Sequence, residues 1–165
     1  MLVTVQDGSA LFLDANIFVY HFSGPTPYTA SCTQLLQRIE NGAIFGFTST
    51  LVVAETLHRL MIIEAVTTLQ VEPKAAIRYL KANPKHVARL TQHLLVPDSI
   101  QAIGIEILSL EVDDIRASAG IKKEYGLLTN DAINLALMRR HSLTSIASND
   151  SDFERVTDLL VWKPS

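Results

Sequence analysis

Ala10-Leu11-Phe12-Leu13-Asp14-Ala15-Asn16 is the stretch whose reading decides the fold. Residues 10–14 form a short apolar run that ends in a carboxylate, and a run of this length reads as a buried strand. Beyond it, Pro25 and Pro27 punctuate a short segment, and Tyr28–Glu40 reads as a helix closed by Asn41-Gly42. Ala43–Thr48 reads as a second strand. Ser49 or Thr50 can cap the helix that follows, with Leu51 to about Val66 as its body. Residues 67–103, broken by Pro73, Pro84 and Pro97, look like an all-helical insertion. Ile105–Leu110 is a third strand, and Val112–Tyr125 is a helix stopped by Gly126. Thr129 or Asn130 caps a helix running to about His141, and strands follow at Ser145–Ser148 and Leu159–Trp162. Strands alternating with helices imply an α/β fold, a three-layer sandwich around a mostly parallel sheet of about five strands. Ligands in such folds bind beyond the carboxyl ends of the strands.

Composition narrows the function classes. The 165 residues suit one domain over 1–165, and 48% hydrophobic with 19% charged residues allows one sizeable core. Mean hydropathy is high at +0.22. Even so, no uncharged apolar run approaches the ~20 residues a bilayer span needs, so no membrane association is expected. The first ten residues contain Asp7 and lack a basic start, which argues against a secretory signal. The single cysteine, Cys32, excludes an intrachain disulfide framework and fits a reducing, cytoplasmic setting. Cys32 reads as a packing residue rather than a nucleophile. The net charge of −3 does not exclude nucleic acid, because local patches set the electrostatic footprint.

The residues with chemistry to offer are acidic. Asp14 ends the first strand, and Asp150 and Asp152 follow the fourth. Asp131 lies in the first turn of its helix, where the positive end of the helix dipole is expected to keep it ionised. Glu55 lies in an otherwise apolar helix, where a carboxylate needs a cation or a polar cleft. Each has a plain structural reading too. Asp14 can terminate a strand or cap a helix, Asp131 can serve a helix start, and Asp150 and Asp152 can be turn residues. Glu55 can pair with Arg59, four residues on. Together, several carboxylates at one sheet edge repel one another without cations, and hard divalent ions prefer such oxygen ligands.

Four pieces in order carry a family resemblance: Leu11-Phe12-Leu13-Asp14-Ala15-Asn16; Ser49-Thr50-Leu51-Val52-Val53-Ala54-Glu55; Leu127-Leu128-Thr129-Asn130-Asp131-Ala132-Ile133; and Ser148-Asn149-Asp150-Ser151-Asp152-Phe153. The pattern resembles the PIN domain of VapC-type toxins across nearly the whole chain. The insertion at 67–103 makes this chain longer than those compact toxins. The resemblance implies a metal-dependent nuclease, best read as a single-stranded endoribonuclease and as the toxin of a toxin–antitoxin pair. Asp14, Glu55, Asp131 and Asp150 then form the catalytic set. Asp14, Asp131 and Asp150 hold one or two Mg²⁺ or Mn²⁺ ions, and Glu55 completes the shell. Asp152 is an accessory acid, and Asn16 and Ser148 are polar neighbours. The implied partners are RNA, an antitoxin protein and a second copy in a homodimer.

An RNA strand wants a cationic track, and Lys74, Arg78, Lys81, Lys85 and Arg89 recur at helical spacing opposite Ile77, Leu80, Val87 and Leu90. The same pattern suits a solvated face of an amphipathic helix, and Pro84 breaks its continuity. Arg139-Arg140 and Lys122-Lys123 are further basic pairs of a kind common on helix surfaces. Tyr20, Phe22 and Tyr28 can stack bases or pack in the core. His86 and His93 read as a solvated pair. Leu35, Leu36, Leu57, Leu60, Met61 and Ile62 can form a dimer face or a core. The rival readings are a non-catalytic PIN-like module that binds RNA or protein, a structure-specific DNA nuclease, and a phosphatase of haloacid-dehalogenase type. The last would want an aspartate where Asn16 stands.

Overall fold

Every residue from 1 to 165 is described by the computed structural model. The apolar runs form five strands: β1 (Ala10–Leu13), β2 (Phe45–Ser49), β3 (Glu106–Leu108), β4 (Ser145–Ala147) and β5 (Leu160–Trp162). They lie side by side in the order β3-β2-β1-β4-β5, and every pairing is parallel. The sheet is therefore wholly rather than mostly parallel. Parallel neighbours need long crossovers, and helices supply them.

The helices are α1 (Ala15–Phe22), α2 (Thr29–Glu40), α3 (Thr50–Leu69), α4 (Ala76–Ala82), α5 (Pro84–Val87), α6 (Val96–Ala102), α7 (Val112–Tyr125) and α8 (Thr129–Arg140). From β1 the chain steps outward to β2 and β3, then returns past β1 to β4 and β5. Right-handed crossovers put the helices of the outward path on one face and those of the return on the other. The contacts agree, since α1 packs on α2 and α3, while α7 packs on α8. One core holds these layers together, with Leu11, Phe12, Leu13, Phe18, Leu35, Ile146 and Phe153 all nearly inaccessible. At Gly46 a Cβ would come within 3.0 Å of Ile39 and Ile105 side-chain carbons, so glycine lets α2 and β3 close on β2.

The reversal of strand order between β1 and β4 opens a crevice beyond their carboxyl ends. Hydrogen bonds continue past the strands there. The Asp14 N–H donates to the Ala147 carbonyl at 3.1 Å, and the Ser148 N–H to that of Trp162 at 3.0 Å. Asp14 and Ser148 are thus fixed by the sheet itself. Thr48, fully buried, donates to the Leu13 carbonyl at 2.9 Å and ties β2 to the same edge.

Several sequence expectations need correction. Helix α3 runs on to Leu69, so the first residues of the 67–103 stretch belong to it. The rest of that stretch is α4, α5, α6 and two 3₁₀ turns, with a small core of Ala65, Leu80 and Leu90. Pro97 lies in the first turn of α6 and does not break a helix, because the first helical N–H groups need no partner within the helix. Neither Thr129 nor Asn130 caps α8. Leu128 holds that position, without a side-chain bond. Ser49 does cap α3, accepting from the Val52 N–H at 3.0 Å.

Candidate active site

Asp14 is both the end of β1 and the N-cap of α1, so both plain readings of it are realised. Its side chain is also the best-held in the crevice. Oδ1 accepts the Ala15 N–H at 2.7 Å. Oδ2 accepts the Ser148 hydroxyl at 2.6 Å and the Asn16 Nδ2 at 2.5 Å. Burial nevertheless pushes the Asp14 carboxyl above its ordinary value, and Glu55 adds repulsion. The Ser148 and Ala15 bonds and the Arg59 charge pull the other way.

Asn16 and Ser148 are more than polar neighbours. Asn16 Nδ2 also donates to Ser148 Oγ at 3.1 Å, while Asn16 Oδ1 accepts the Asn149 N–H at 3.0 Å. Ser148 Oγ, fully buried, accepts the Asp150 N–H at 3.0 Å. This network clamps the loop after β4 onto the end of β1. Asp150 is exposed on that loop, and its Oδ1 accepts the Asp152 N–H at 2.8 Å, an Asx turn. Asp152 pairs with Arg155 at 2.7 Å. The turn reading of these two acids is therefore also realised.

Asp131 comes from the first turn of α8. Its carboxyl is pushed up to about 7 by burial and by the charges of Asp14, Asp150, Glu55 and Asp152. This corrects the expectation that the helix start keeps it ionised, since burial and four like charges outweigh the favourable dipole. Glu55, on α3, is half-buried rather than deeply buried, and its carboxylate lies 3.7 Å from Arg59. It therefore sits at the cleft's rim, not in an apolar interior.

Four chain segments thus bring Asp14, Glu55, Asp131 and Asp150 within electrostatic reach of one another. No three acidic, histidine or cysteine side chains converge closely enough to cage an ion by themselves. The donor set still suits a hard divalent cation. Ions such as Mg²⁺ need only one or two carboxylates, the remainder being water and substrate phosphate. The mutual repulsion that raises Asp131 is also what a bound cation removes.

Sequence reasoning missed Asn134. It is buried one turn beyond Asp131, and its Oδ1 accepts the Ser49 hydroxyl at 2.7 Å. The bond joins the start of α3, which carries Glu55, to α8, which carries Asp131. The available signal was a lone polar residue within the apolar run Ala132–Met138. Beside the acids lies an open polar hollow of about 330 Å³, lined by Asn16, Tyr20, Arg59, Asn149, Asp150 and Ser151. Tyr20 is fixed there by Asn149 Nδ2 at 3.0 Å and by the Tyr28 ring. Phe22 and Tyr28 pack against the core.

The basic residues fall into two groups. Lys74, Arg78, Lys81, Lys85 and Arg89 are all exposed, but they do not form one stripe, because the chain breaks at Asn83 between α4 and α5. Pro84 removes an N–H and drives Asn83 out of helical geometry. None of the five lines the polar hollow. Arg140 instead clamps α7, with Nε and Nη2 each 2.8 Å from the buried Asp114 carboxylate. The two histidines are not a solvated pair: His86 bonds Tyr79 and His93 is buried against Glu64. Leu35, Leu36 and Leu60 are core residues, while Leu57, Met61 and Ile62 are half-buried and pack against the cores. Cys32 is buried, and burial pushes its thiol up to about 12, as befits a packing residue.

A family model described as the PIN domain matches residues 11–159. Ribonuclease VapC2 of Methanocaldococcus jannaschii is 29% identical over 153 residues, covering 92% of this chain and 91% of the relative. Among solved structures, Mycobacterium tuberculosis VapC20, titled a Sarcin-Ricin loop cleaving toxin, superposes with a TM-score of 0.61 at 13% identity. That match covers 89% of this chain and 95% of the other. VapBC2 from Rickettsia felis, bound to a promoter DNA fragment, gives a TM-score of 0.58 at 14% identity, covering 94% and 99%. At these identities the structural likenesses speak to the fold alone.

Proposed function

Because the chain belongs to the PIN-domain family, we propose that it is a metal-dependent endoribonuclease, the toxin half of a toxin–antitoxin pair. The observation that carries this reading is electrostatic. Four carboxylates from separate segments come within electrostatic reach of one another beyond the switch point of the sheet, and burial together with the neighbouring charges raises Asp131 to about 7. Such an arrangement is unfavourable for a fold and useful for holding a cation against a phosphodiester. The sister reading, a non-catalytic module, gives no reason to maintain that repulsion.

In this proposal Asp14, Asp131 and Asp150 would hold Mg²⁺ or Mn²⁺, both of which accept carboxylate oxygen. Glu55 would complete the set from the rim. When bound, such an ion supplies positive charge that stabilises phosphoryl transfer and eases deprotonation of water. The protein's own contribution is positioning. Ser148, Asn16 and the Ala15 N–H fix both oxygens of Asp14. The Asn16–Asn149 and Ser148–Asp150 bonds hold the Asp150 loop against β1. Asn134, through Ser49, keeps the helices bearing Asp131 and Glu55 in register. Asp152, tied to Arg155, adds negative charge at the edge.

An antitoxin partner is part of the proposal, supported by the VapBC-type relatives. So is a cytoplasmic setting, which suits a single buried thiol and a chain with no helix long and apolar enough to cross a membrane. The test is cleavage of labelled single-stranded RNA by the purified protein with Mn²⁺, with Mg²⁺ and with EDTA, alongside Asp14→Asn and Asp131→Asn. Metal-dependent cleavage lost in both variants is expected. Equal behaviour of wild type and variants across several RNAs would put the non-catalytic module first.

A further inference from the structure

Arg59 is the one cation lining the polar hollow beside the acids. Its one ion pair is with Glu55, at 3.7 Å and beyond hydrogen-bond distance, and its charge also reaches Asp14. Its guanidinium makes no hydrogen bond to any group of the chain, unlike those of Arg38, Arg139 and Arg140, which are buried to a similar degree or more. Arg38 is bound to Asp7 and the Val5 carbonyl, Arg139 to Asp158 and Tyr125, and Arg140 to Asp114, Glu111 and the Ser109 carbonyl. A half-exposed pair of the Glu55–Arg59 kind contributes little, so it does not explain why Arg59 stays with its donors free.

The neighbourhood of Arg59 is otherwise built. Asn16 and Asn149 are locked in the Asp14 network, and the Tyr20 hydroxyl oxygen accepts from Asn149 Nδ2. What the hollow offers a ligand is therefore a planar fork of donors beside fixed polar walls. That geometry matches phosphate, which arginine binds in a bidentate manner. The hollow shares Asn16 and Asp150 with the acidic site, so a nucleic-acid strand with one phosphodiester at the acids would lay an adjacent phosphate here. A polyanion approaching several carboxylates also needs an unneutralised positive charge close by.

We propose that Arg59, with the hollow formed by Asn16, Tyr20, Asn149, Asp150 and Ser151, is a phosphate subsite that seats the RNA phosphodiester next to the one being cut. This rests on the ribonuclease reading above. Arg59 binds a non-bridging oxygen pair and positions the strand, and it takes no part in the proton transfers.

The experiment compares full-length wild type, Arg59→Ala, Arg59→Lys and Arg116→Ala. Arg116 is an exposed residue of α7 paired to Asp113, and it controls for the loss of one positive charge. Cleavage of a short single-stranded RNA gives KM and kcat. Binding of the same RNA in EDTA, measured by anisotropy over a range of salt, gives the electrostatic slope. Arg59→Ala should raise KM about tenfold with kcat within about threefold, as expected for removal of ground-state binding. The slope of log Kd against log salt should fall by about 0.7, the value of one phosphate on a single strand. Arg59→Lys should recover part of the loss, and Arg116→Ala should match wild type. Unchanged KM and slope in Arg59→Ala, the same loss in Arg116→Ala, or a fall in kcat alone would each overturn the subsite. If wild type fails to cleave with any divalent metal, the ribonuclease reading falls. The binding arm then still decides whether Arg59 holds an RNA phosphate.

Discussion

Replacing Asp131 with asparagine should stabilise the metal-free protein while it ends cleavage. The folded chain raises this carboxyl from 3.8 to about 7, so the folded state holds its proton more tightly than the unfolded state does. Between those two pH values the folded chain binds more protons, and its stability therefore falls as pH rises from about 4, with the full loss reached above about 7. Asparagine has no proton to lose and avoids the penalty. The span from 3.8 to about 7 corresponds to about 4 kcal/mol at about 1.4 kcal/mol for each tenfold change in proton affinity. Asp131 is only half-buried, and solvent screening reduces this to roughly 1–2 kcal/mol. For a chain of this size that is about 2–8 °C in melting temperature.

The assay is thermal unfolding in EDTA at pH 5 and pH 8, repeated at pH 8 with Mn²⁺. Asp131→Asn should melt above wild type at pH 8, with a smaller gap at pH 5. Mn²⁺ should raise the wild-type melting temperature and leave the variant nearly unmoved, because a ligand stabilises only the state that binds it. A gap that is absent at pH 8, or wider at pH 5, would refute the electrostatic reasoning. A variant that responds to Mn²⁺ as wild type does would remove Asp131 from the ion's ligands.

Ser148→Ala removes the hydroxyl that donates to Asp14 at 2.6 Å and strands the Asp150 N–H. Activity should fall about 10–100-fold, with a higher Mn²⁺ requirement, and the stability loss should be about 1.5–3 kcal/mol. Activity within a factor of three of wild type at every Mn²⁺ concentration would show that the Asp14 clamp is dispensable. Away from the site, Glu64 accepts the N–H groups of Thr91, Gln92 and His93 and the His93 ring nitrogen at 2.8 Å. Glu64→Ala should destabilise the protein by about 2–3 kcal/mol and speed amide exchange at residues 91–95 first, while metal-dependent cleavage by the folded fraction persists. Unchanged exchange there would mean that the segment is held by packing alone.

The parts of this protein that could be read from sequence are those set by local chemistry. Asp14 was legible because an apolar run ends abruptly in a carboxylate, and the α7 boundary because Gly126 takes a left-handed conformation at φ 68°. The break between α4 and α5 was legible from Pro84. What distance along the chain concealed was different in kind. The Ser49–Asn134 bond spans 85 residues and the Glu64–His93 bond 29. Neither leaves a periodic trace, since each partner looks like an ordinary polar residue in its own helix. Arg59 was legible only as a partner for Glu55, because spacing of four predicts the pair but not its length. The state of Asp131 was misjudged for the same reason. The helix start is a local feature, whereas the four opposing carboxylates are assembled by topology.

That assembly divides labour unevenly among the acids. Asp14 is saturated with protein donors and fixed by the sheet, so it is a rigid reference point. Asp131 accepts no hydrogen bond from a side chain, and the Asp150 carboxylate is bonded only within its own turn. In the proposed site the rigid acid sits at the carboxyl end of β1, where the strand order reverses. The adjustable ones come from α8 on one side and the loop after β4 on the other. Such a site does not need a ready-made cage. In the proposed site Asp14, Asp131 and Asp150 would hold the ion, and its charge would relieve the repulsion that the metal-free fold bears at Asp131. The same asymmetry explains why an anion needs Arg59 close by. Until the cation is present, the crevice carries only negative charge at its centre, and a free guanidinium at its edge is what allows a phosphodiester to approach.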